Sequence, residues 1–367
     1  MAWQPALVKV YFWYSLAIGV TANRLVNRRF FTSKLTRTYV LVYNVITLVG
    51  FPIVLWASEG KFQVKMNYPV LILVTYRVRF IVAYIIVAYT ILSRGFRDLA
   101  FLEMDPLLTK LYKEETRRGL SQISGSLRLL FYLKFTTIIW RCCTDSVFLF
   151  YAADGYSLAN IVRFLFLSNC YNMLNVVSMS YFLSMWHVAS GYECVNERLE
   201  KLSKSRPSRR GLKELHHLWS LHTDLTQTAL RINRIYSPQM LASRVDCFVF
   251  GVVQGYWGVF FTFDLDTPKF CLVYGTMSYL MSSLDYYLID HLCDLVGKYQ
   301  NARRDAWSES RWTKESSAFV TYANSSKLEL WTCGLYQVNR SLWFDMISGV
   351  LYYFVMLLQF HLALQKA

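Results

Sequence analysis

Seven long apolar stretches dominate the pattern of hydrophobic and polar positions along the chain. Each contains about 20 mainly apolar residues, the length that an α-helix needs to cross the hydrocarbon core of a bilayer. The stretches lie at residues 38–58, 69–93, 129–152, 164–190, 247–263, 270–292 and 341–364. The pattern therefore predicts an all-α membrane protein with seven transmembrane helices.

Basic residues are concentrated in every second connection between these stretches. About 30 of the 39 Lys and Arg residues lie in the N-terminal arm and in the connections at about 94–128, 191–245 and 298–340. Loops rich in Lys and Arg stay in the cytoplasm. The N-terminus is therefore predicted to be cytoplasmic and the C-terminus extracellular, which is opposite to the orientation of a G-protein-coupled receptor.

This topology divides the chain into six segments. They are a cytoplasmic arm with an interfacial helix (1–37), transmembrane helices 1–4 (38–190), a cytoplasmic helical extension (191–245), transmembrane helices 5 and 6 (246–297), a cytoplasmic segment (298–340), and the last helix with a short extracellular tail (341–367). Residues 5–22 are apolar but interrupted by Lys9. An interfacial helix is therefore favoured there over an eighth transmembrane helix.

The predicted cytoplasmic connection at 191–245 has the periodicity of an amphipathic helix. Apolar residues recur there at steps of three and four, the spacing that places them on one helical face. They are Leu212, Leu215, Leu218, Leu221, Leu225, Ala229, Ile232 and Tyr236. The fourth and fifth transmembrane helices are therefore predicted to continue as helices below the membrane and to pack there.

Composition and motifs exclude several classes of function. The chain is 54% hydrophobic and 17% aromatic, and its net charge of +15 lies beside membrane crossings, where it attracts anionic lipid. Nucleic-acid binding is therefore not expected. The sequence contains no GxSxG, P-loop or HExxH motif, and His216, His217 and His222 are predicted to lie on a solvated helix face. We expect no enzymatic activity, no cofactor and no metal site.

Several ionisable residues fall inside the predicted transmembrane helices, where charge is costly. Arg141 and Asp145 are four residues apart, which favours a local ion pair. Lys134 and Asp290 lie near predicted inner ends, from which their charged groups are expected to reach the membrane surface. Asp285 lies deeper in the predicted sixth helix.

The outer halves of the second to sixth transmembrane helices contain many aromatic and polar side chains. Such a combination is typical of a small-molecule pocket, although Trp and Tyr also anchor helices at membrane interfaces. The candidate ligand-binding residues are Tyr76, Phe80, Asp145, Phe148, Tyr151, Asn172, Trp257, Phe260, Tyr274 and Tyr279.

The last apolar stretch resembles a known family. It reads Tyr352-Tyr353, five apolar residues, then Gln359-Phe360, which is similar to the closing signature of insect gustatory receptors, Thr-Tyr, five apolar residues, then Gln-Phe. The preceding Cys333-Gly-Leu-Tyr336 also resembles the family's lead-in to its last helix. The departure is Tyr352, where the family usually has Thr.

The resemblance implies a ligand-gated, non-selective cation channel of four subunits, with contacts between intracellular helices and a pore lined by the last helix. Met356, Gln359 and Phe360 would then be the pore and gate residues. The implied ligand is a small-molecule tastant, bitter or otherwise apolar. The implied assembly is a homotetramer or a heterotetramer with related subunits, in the plasma membrane of chemosensory neurons. A solute transporter and a G-protein-coupled receptor are the alternatives.

Overall fold

A computed structural model describes residues 3–26, 29–65, 70–99, 102, 106–107, 124–151, 157–204, 208–263, 269–302, 314–325 and 327–366. Within these ranges the chain is almost entirely helical. The main helices are α1 (Trp3–Ala17), α2 (Lys34–Lys65), α3 (Val70–Leu92), α4 (Gly125–Tyr151), α5 (Leu158–Ser203), α6 (Arg209–Phe263), α7 (Lys269–Asn301), α8 (Lys314–Ser325) and α9 (Arg340–Lys366).

Two short antiparallel hairpins complete the fold. Strands β1 (Asn23–Val26) and β2 (Arg29–Thr32) connect α1 to α2. Strands β3 (Trp331–Thr332) and β4 (Tyr336–Gln337) lie directly before α9.

Polar side chains at the helix starts explain where several helices begin. Ser33 and Thr36 bond reciprocally at the start of α2, each side chain accepting the backbone N–H of the other at 3.1 Å. The hydroxyl of Ser157 accepts from the N–H of Asn160 before α5, and that of Ser208 accepts from the N–H of Gly211 before α6. These bonds satisfy backbone donors that have no partner within their own helix.

Helix α5 is the centre of the bundle. Every residue from Asn172 to Trp186 is buried, and α5 packs against α4, α6 and α7. A helix that is buried on all sides belongs to the interior of a larger assembly of helices. The other helices are therefore arranged around this central helix.

The predicted amphipathic stripe is confirmed. Leu212 is half-buried, and the other seven apolar residues of the stripe, from Leu215 to Tyr236, are buried. Helix α6 is continuous over 55 residues and contains Pro238. Its length is about 80 Å at 1.5 Å per residue, well beyond the thickness of a bilayer. The prediction that His222 is solvated is wrong, because its ring is buried against Tyr192.

Apart from Ser93, the described residues of the seven apolar stretches lie within helices, but these helices differ in polarity. Within the described residues, only Lys34–Val54 and Arg340–Ala363 combine the length and the low charge of a membrane-crossing helix. A third apolar stretch, Phe80–Leu92, is shorter. The helical fold is therefore observed, while the number of crossings and the side of each terminus stay predictions.

Helix α1 is packed into the bundle. Tyr11 and Phe12 are buried in the main core, and the hydroxyl of Tyr11 donates to the carbonyl of Val176 in α5 at 2.7 Å. With 15 residues, α1 is shorter than the roughly 20 residues of a membrane crossing.

Candidate functional site around the last helix

The start of α9 is attached to α7. The side chain of Asn339 accepts the N–H of Leu342 at 3.1 Å and so caps the helix. Arg340 Nε donates to Asp294 Oδ2 at 2.8 Å. The indole N–H of Trp343 donates to the carbonyl of Ser283 at 2.9 Å. These contacts fix the position of the first turn of α9.

Glycines allow α9 to approach α6 closely. A Cβ atom at Gly255 would lie 3.0 Å from the ring of Phe354, and one at Gly251 would lie 3.1 Å from Val350. Small residues four apart let two helix backbones come together, as is common in membrane proteins. One face of α9 is therefore packed against the backbone of α6.

Tyr256 fixes the part of the same interface nearer the C-terminal end of α9. This residue of α6 is fully buried, and Phe354, Leu357 and Leu358 of α9 pack around it. Its hydroxyl is hydrogen-bonded to Nδ1 of His361 at 2.9 Å. Helices α6 and α9 are thus joined by apolar packing and by one polar contact near the end of α9.

The opposite face of α9 is uncovered and carries polar groups. Asp345, Ser348, Tyr352, Met356 and Gln359 follow one another at steps of three and four residues, and all five are exposed. Residues at such steps share one face of a helix. Only 11% of the most apolar part of this helix is buried. The face is therefore available to lipid, water or another chain.

The hairpin before α9 is attached to α6. Cys333 and Gly334 form its turn with φ angles of 51° and 70°, and the N–H of Cys333 donates to the hydroxyl of Ser237 at 2.5 Å. The amide of Asn233 donates to the carbonyl of Trp331 at 2.8 Å. Helix α6 therefore holds both the hairpin and, further along, the packed face of α9.

We expect Ser237→Ala to destabilise the fold by about 1–3 kcal/mol, because the part-buried N–H of Cys333 would lose its acceptor. The matched control is Ser243→Ala in the same helix, since the Ser243 hydroxyl is buried and has no hydrogen-bond partner in the part of the chain that the structure describes. Thermal unfolding of the purified protein in detergent measures both effects. Equal melting temperatures for the two variants would contradict the role assigned to Ser237.

A cluster of three charged side chains is buried between α4 and α7. Asp285 Oδ1 lies 2.7 Å from Lys134 Nζ, and its Oδ2 lies 3.1 Å from Arg141 Nη1. Lys134 and Asp285 have no exposed surface. Thr137 donates to Oδ1 at 2.8 Å, and Ser178 of α5 donates to Oδ2 at 3.2 Å. The carboxylate therefore joins three helices.

A second buried ion pair lies nearer the hairpin. Arg244 of α6 is hydrogen-bonded to Asp290 of α7. Its guanidinium group lies 5.9 Å from the centre of the Tyr286 ring and 5.6 Å from that of Tyr336 in the hairpin. Arginine stacks favourably on aromatic faces. This pair therefore connects α6, α7 and the segment that leads into α9.

These pairs correct one interpretation of the sequence, while the predicted local pair of Arg141 and Asp145 stays a prediction. Lys134 and Asp290 do not reach the surface, because both side chains are fully buried and paired. Arg141 contacts Asp285 on another helix, whereas the side chain of Asp145 lies outside the described residues. Lys134 and Arg141 are seven residues apart on one face of α4, so two cations there required an acidic partner. The seven-residue spacing of these two cations was the feature of the sequence from which a buried acidic partner could have been inferred.

Comparisons with known proteins place the chain in a family. The family model described as 7tm Chemosensory receptor matches residues 8–364. The chain belongs to the 7tm chemosensory receptor family. A Drosophila erecta protein named "Putative gustatory receptor 59b" is 53% identical over 288 residues, which are 78% of this chain and 49% of that protein. The receptor thus spans about half the length of the curated relative that it matches.

Solved structures with a similar fold are olfactory receptors. The receptor resembles the insect olfactory receptor OR5 from Machilis hrabei with a TM-score of 0.63 at 13% identity. The complex of OR5 with eugenol gives a TM-score of 0.59 at 12% identity. Each comparison covers 97% of this chain and 98% of the other. At such low identity the similarity establishes the fold alone.

Four of the ten candidate ligand-binding residues of the receptor have described side chains, and these four lie in two separate places. Phe80 lies 6.5 Å from Tyr171, measured between ring centres, and the neighbouring Asn172 is buried. Trp257 lies in the cluster beside α9, and the ring of Tyr279 lies 2.8 Å from a Cβ atom built at Gly251. The side chains of the other six candidates lie outside the described residues: Tyr76, Asp145, Phe148, Tyr151, Phe260 and Tyr274.

Proposed function

We propose that the receptor is a ligand-gated, non-selective cation channel for small-molecule tastants. It has seven transmembrane helices, a cytoplasmic N-terminus and an extracellular C-terminus, and lies in the plasma membrane of chemosensory neurons. Four subunits, either identical or related, surround a central pore lined by α9. Bitter or other apolar compounds are the proposed ligands, because aromatic side chains predominate among the candidate ligand-binding residues.

The observation that supports this proposal is the uncovered face of α9. A helix that faces lipid is expected to be apolar there, because a polar group in hydrocarbon is costly. Asp345, Ser348, Tyr352 and Gln359 instead form a polar row along the exposed face. Facing a water-filled path at the centre of an oligomer satisfies these groups.

Met356 and Phe360 supply the apolar constriction in this proposal. Met356 is 40% exposed and Phe360 is 55% exposed, so each leaves a large part of its side chain uncovered by the subunit. Apolar side chains from several subunits that meet in a narrow pore exclude water and therefore ions. Spreading or rotating the helices admits water and opens the path.

The packed face of α9 gives a route from ligand to gate. Trp257, a candidate ligand-binding residue, belongs to α6, which holds α9 through Gly251 and Tyr256. Tyr279, another candidate, belongs to α7 and packs against Gly251. A ligand opens the channel only by binding the open arrangement more tightly than the closed one. Ligand contacts near these residues would supply that difference at the interface with α9.

We expect Gln359→Ala to change ion permeability and Phe360→Ala to raise the current without ligand severalfold, since each removes a side chain from the proposed pore. Currents are recorded from oocytes that express the receptor, with a panel of tastants applied and the bath cation varied. Leu351→Ala is the control, because Leu351 is 57% exposed but lies off the polar row.

Unchanged permeability and resting current in both pore variants, at surface levels equal to wild type, would contradict the pore assignment. Uptake of a solute without single-channel openings would instead favour a transporter. The buried carboxylate of Asp285 does not favour that alternative, because Lys134, Arg141, Thr137 and Ser178 all contact it. A solute or proton site requires a group that is free to change partners.

A further inference from the structure

The N-terminal segment crosses the ends of α2 and α3 and is held there by Asp98. The hydroxyl of Thr21 donates to Asp98 Oδ1 at 2.5 Å, and the N–H of Ala22 donates to Oδ2 at 3.1 Å. The amide of Asn23 donates to the carbonyl of Asp98 at 3.1 Å. The hairpin β1–β2 is thereby placed beside the start of α2 and the helical stretch 94–99 that follows α3.

This region carries a strong excess of positive charge. Residues 1–58 contain six Lys and Arg and no Asp or Glu. The carboxylate of Asp98 lies in this region, but both of its oxygens already accept hydrogen bonds from the N-terminal segment. Its contact with Arg94 Nε is long, at 4.0 Å. Most of the local positive charge therefore has no acidic neighbour among the described residues.

Two guanidinium groups in this region have unused donors. Arg24 lies 5.3 Å from the centre of the Trp13 ring, and its Nε is buried without a hydrogen-bond partner among the described residues. The same holds for Nη1 of Arg94. Burial lowers the pKa of Arg94; the carboxylate of Asp98 opposes this shift, and the positive charge of Arg37 adds to it. An anion bound to these guanidinium groups would relieve this repulsion.

Large exposed apolar side chains accompany these cations, since Phe31 is the strand partner of Arg24 and Leu35 and Phe96 are two residues from Arg37 and Arg94. Phe31 is 61% exposed, Leu35 is 73% exposed and Phe96 is 73% exposed. Trp13, which contacts Arg24, is 51% exposed. Aromatic and aliphatic groups beside Arg and Lys are the combination found where a protein surface meets lipid headgroups and the ends of acyl chains.

We propose that Arg24, Arg37 and Arg94, with Phe31, Leu35 and Phe96 around them, bind an anionic phospholipid of the inner leaflet. We call this the basic–apolar surface. The guanidinium groups contact the phosphate-bearing headgroup, and the apolar side chains contact the acyl chains. The proposal relies on the cytoplasmic N-terminus proposed above. It commits to a membrane lipid because a soluble phosphate would leave the exposed apolar groups without a partner.

The test uses purified full-length receptor in detergent and an acyl-labelled phosphatidylinositol phosphate, with binding followed by fluorescence anisotropy. The variant Arg24→Gln/Arg37→Gln/Arg94→Gln is expected to bind roughly a hundredfold more weakly, because each basic residue near anionic lipid contributes about a factor of five. The control Arg209→Gln/Arg210→Gln/Lys213→Gln removes the same charge from exposed positions at the start of α6 and should bind like wild type.

Two further comparisons make the result decisive. Arg24→Gln/Arg37→Gln leaves the residues that contact Asp98 intact, so it separates lost binding from misfolding and should weaken binding about thirtyfold on the same basis. Unlabelled phosphatidylinositol phosphate should compete, whereas phosphatidylcholine and the soluble inositol phosphate headgroup should not.

The proposal would be overturned by wild-type affinity in the triple variant. Equal weakening in the control, or equal competition by the soluble headgroup, would overturn it as well. The last result would indicate a site for a soluble anion rather than a lipid. The measurement requires neither a current nor a membrane orientation, so its failure leaves the channel proposal to be judged on α9.

Discussion

Asp285→Asn is expected to prevent most of the receptor from reaching the cell surface. The substitution leaves Lys134 fully buried and Arg141 largely buried, with no negative charge from residue 285 to balance them. Removing one partner from a buried ion pair costs about 3–5 kcal/mol, and domains are typically stable by only about 5–15 kcal/mol. Surface biotinylation and thermal unfolding in detergent measure the effect.

The cluster contains two basic residues and one acidic residue, and this difference in number provides a control for the prediction. Lys134→Met should be milder than Asp285→Asn, because it leaves the pair of Arg141 and Asp285 balanced one to one. Glu197→Gln removes a partner from the ion pair with Lys201, whose side chain is 64% exposed; such pairs contribute less than about 1 kcal/mol. If Asp285→Asn were as stable as Glu197→Gln, the charge cluster would not support the fold.

The double variant Gly251→Ala/Gly255→Ala is expected to separate α9 from α6. The new methyl group at position 251 would lie 2.8 Å from the ring of Tyr279 in α7, closer than such atoms approach, and 3.1 Å from Val350 of α9. The methyl group at position 255 would lie 3.0 Å from the ring of Phe354 in α9, tighter than an ordinary van der Waals contact. Overpacking costs about 1–3 kcal/mol per site and outweighs a gain of about 1 kcal/mol in helix propensity. We expect a lower melting temperature and a changed resting current.

Gly258→Ala is the matched control for this prediction. It lies in the same helix, and a Cβ atom there meets no atom of the described residues within 4 Å. The control should therefore gain helix propensity without a clash and unfold at a slightly higher temperature than wild type. A double variant that unfolded like Gly258→Ala would show that α9 does not need the close approach.

The structural features that were best predicted from the sequence are those that depend on local periodicity. The stripe from Leu215 to Tyr236 was predicted from spacing alone, since apolar residues on one face of a helix are buried when another helix covers them. The helices over the seven apolar stretches followed from the same reasoning. The polar row on α9 was only partly anticipated, through Gln359.

Pairing between helices was not predictable in the same way. Arg141 has a neighbouring acid in sequence, but its contact with Asp285 depends on how α4 and α7 pack. His222 lies between stripe positions and was predicted to be solvated, yet aromatic residues from α8 reach it. The contact between Tyr256 and His361 likewise joins residues that are 105 positions apart. Only tertiary packing brings such groups together.

Pro238 divides α6 into two arms with different attachments to α9. One arm ends at Ser237, which holds the hairpin, and the other begins before Gly251, which packs on α9. Proline has no N–H, so the helix loses a backbone hydrogen bond at this position and is least stiff there. Any bending of α6 is therefore expected at a hinge between these two attachments. Such bending would tilt the C-terminal part of α9, while the hairpin and the first turn of α9 stay in place.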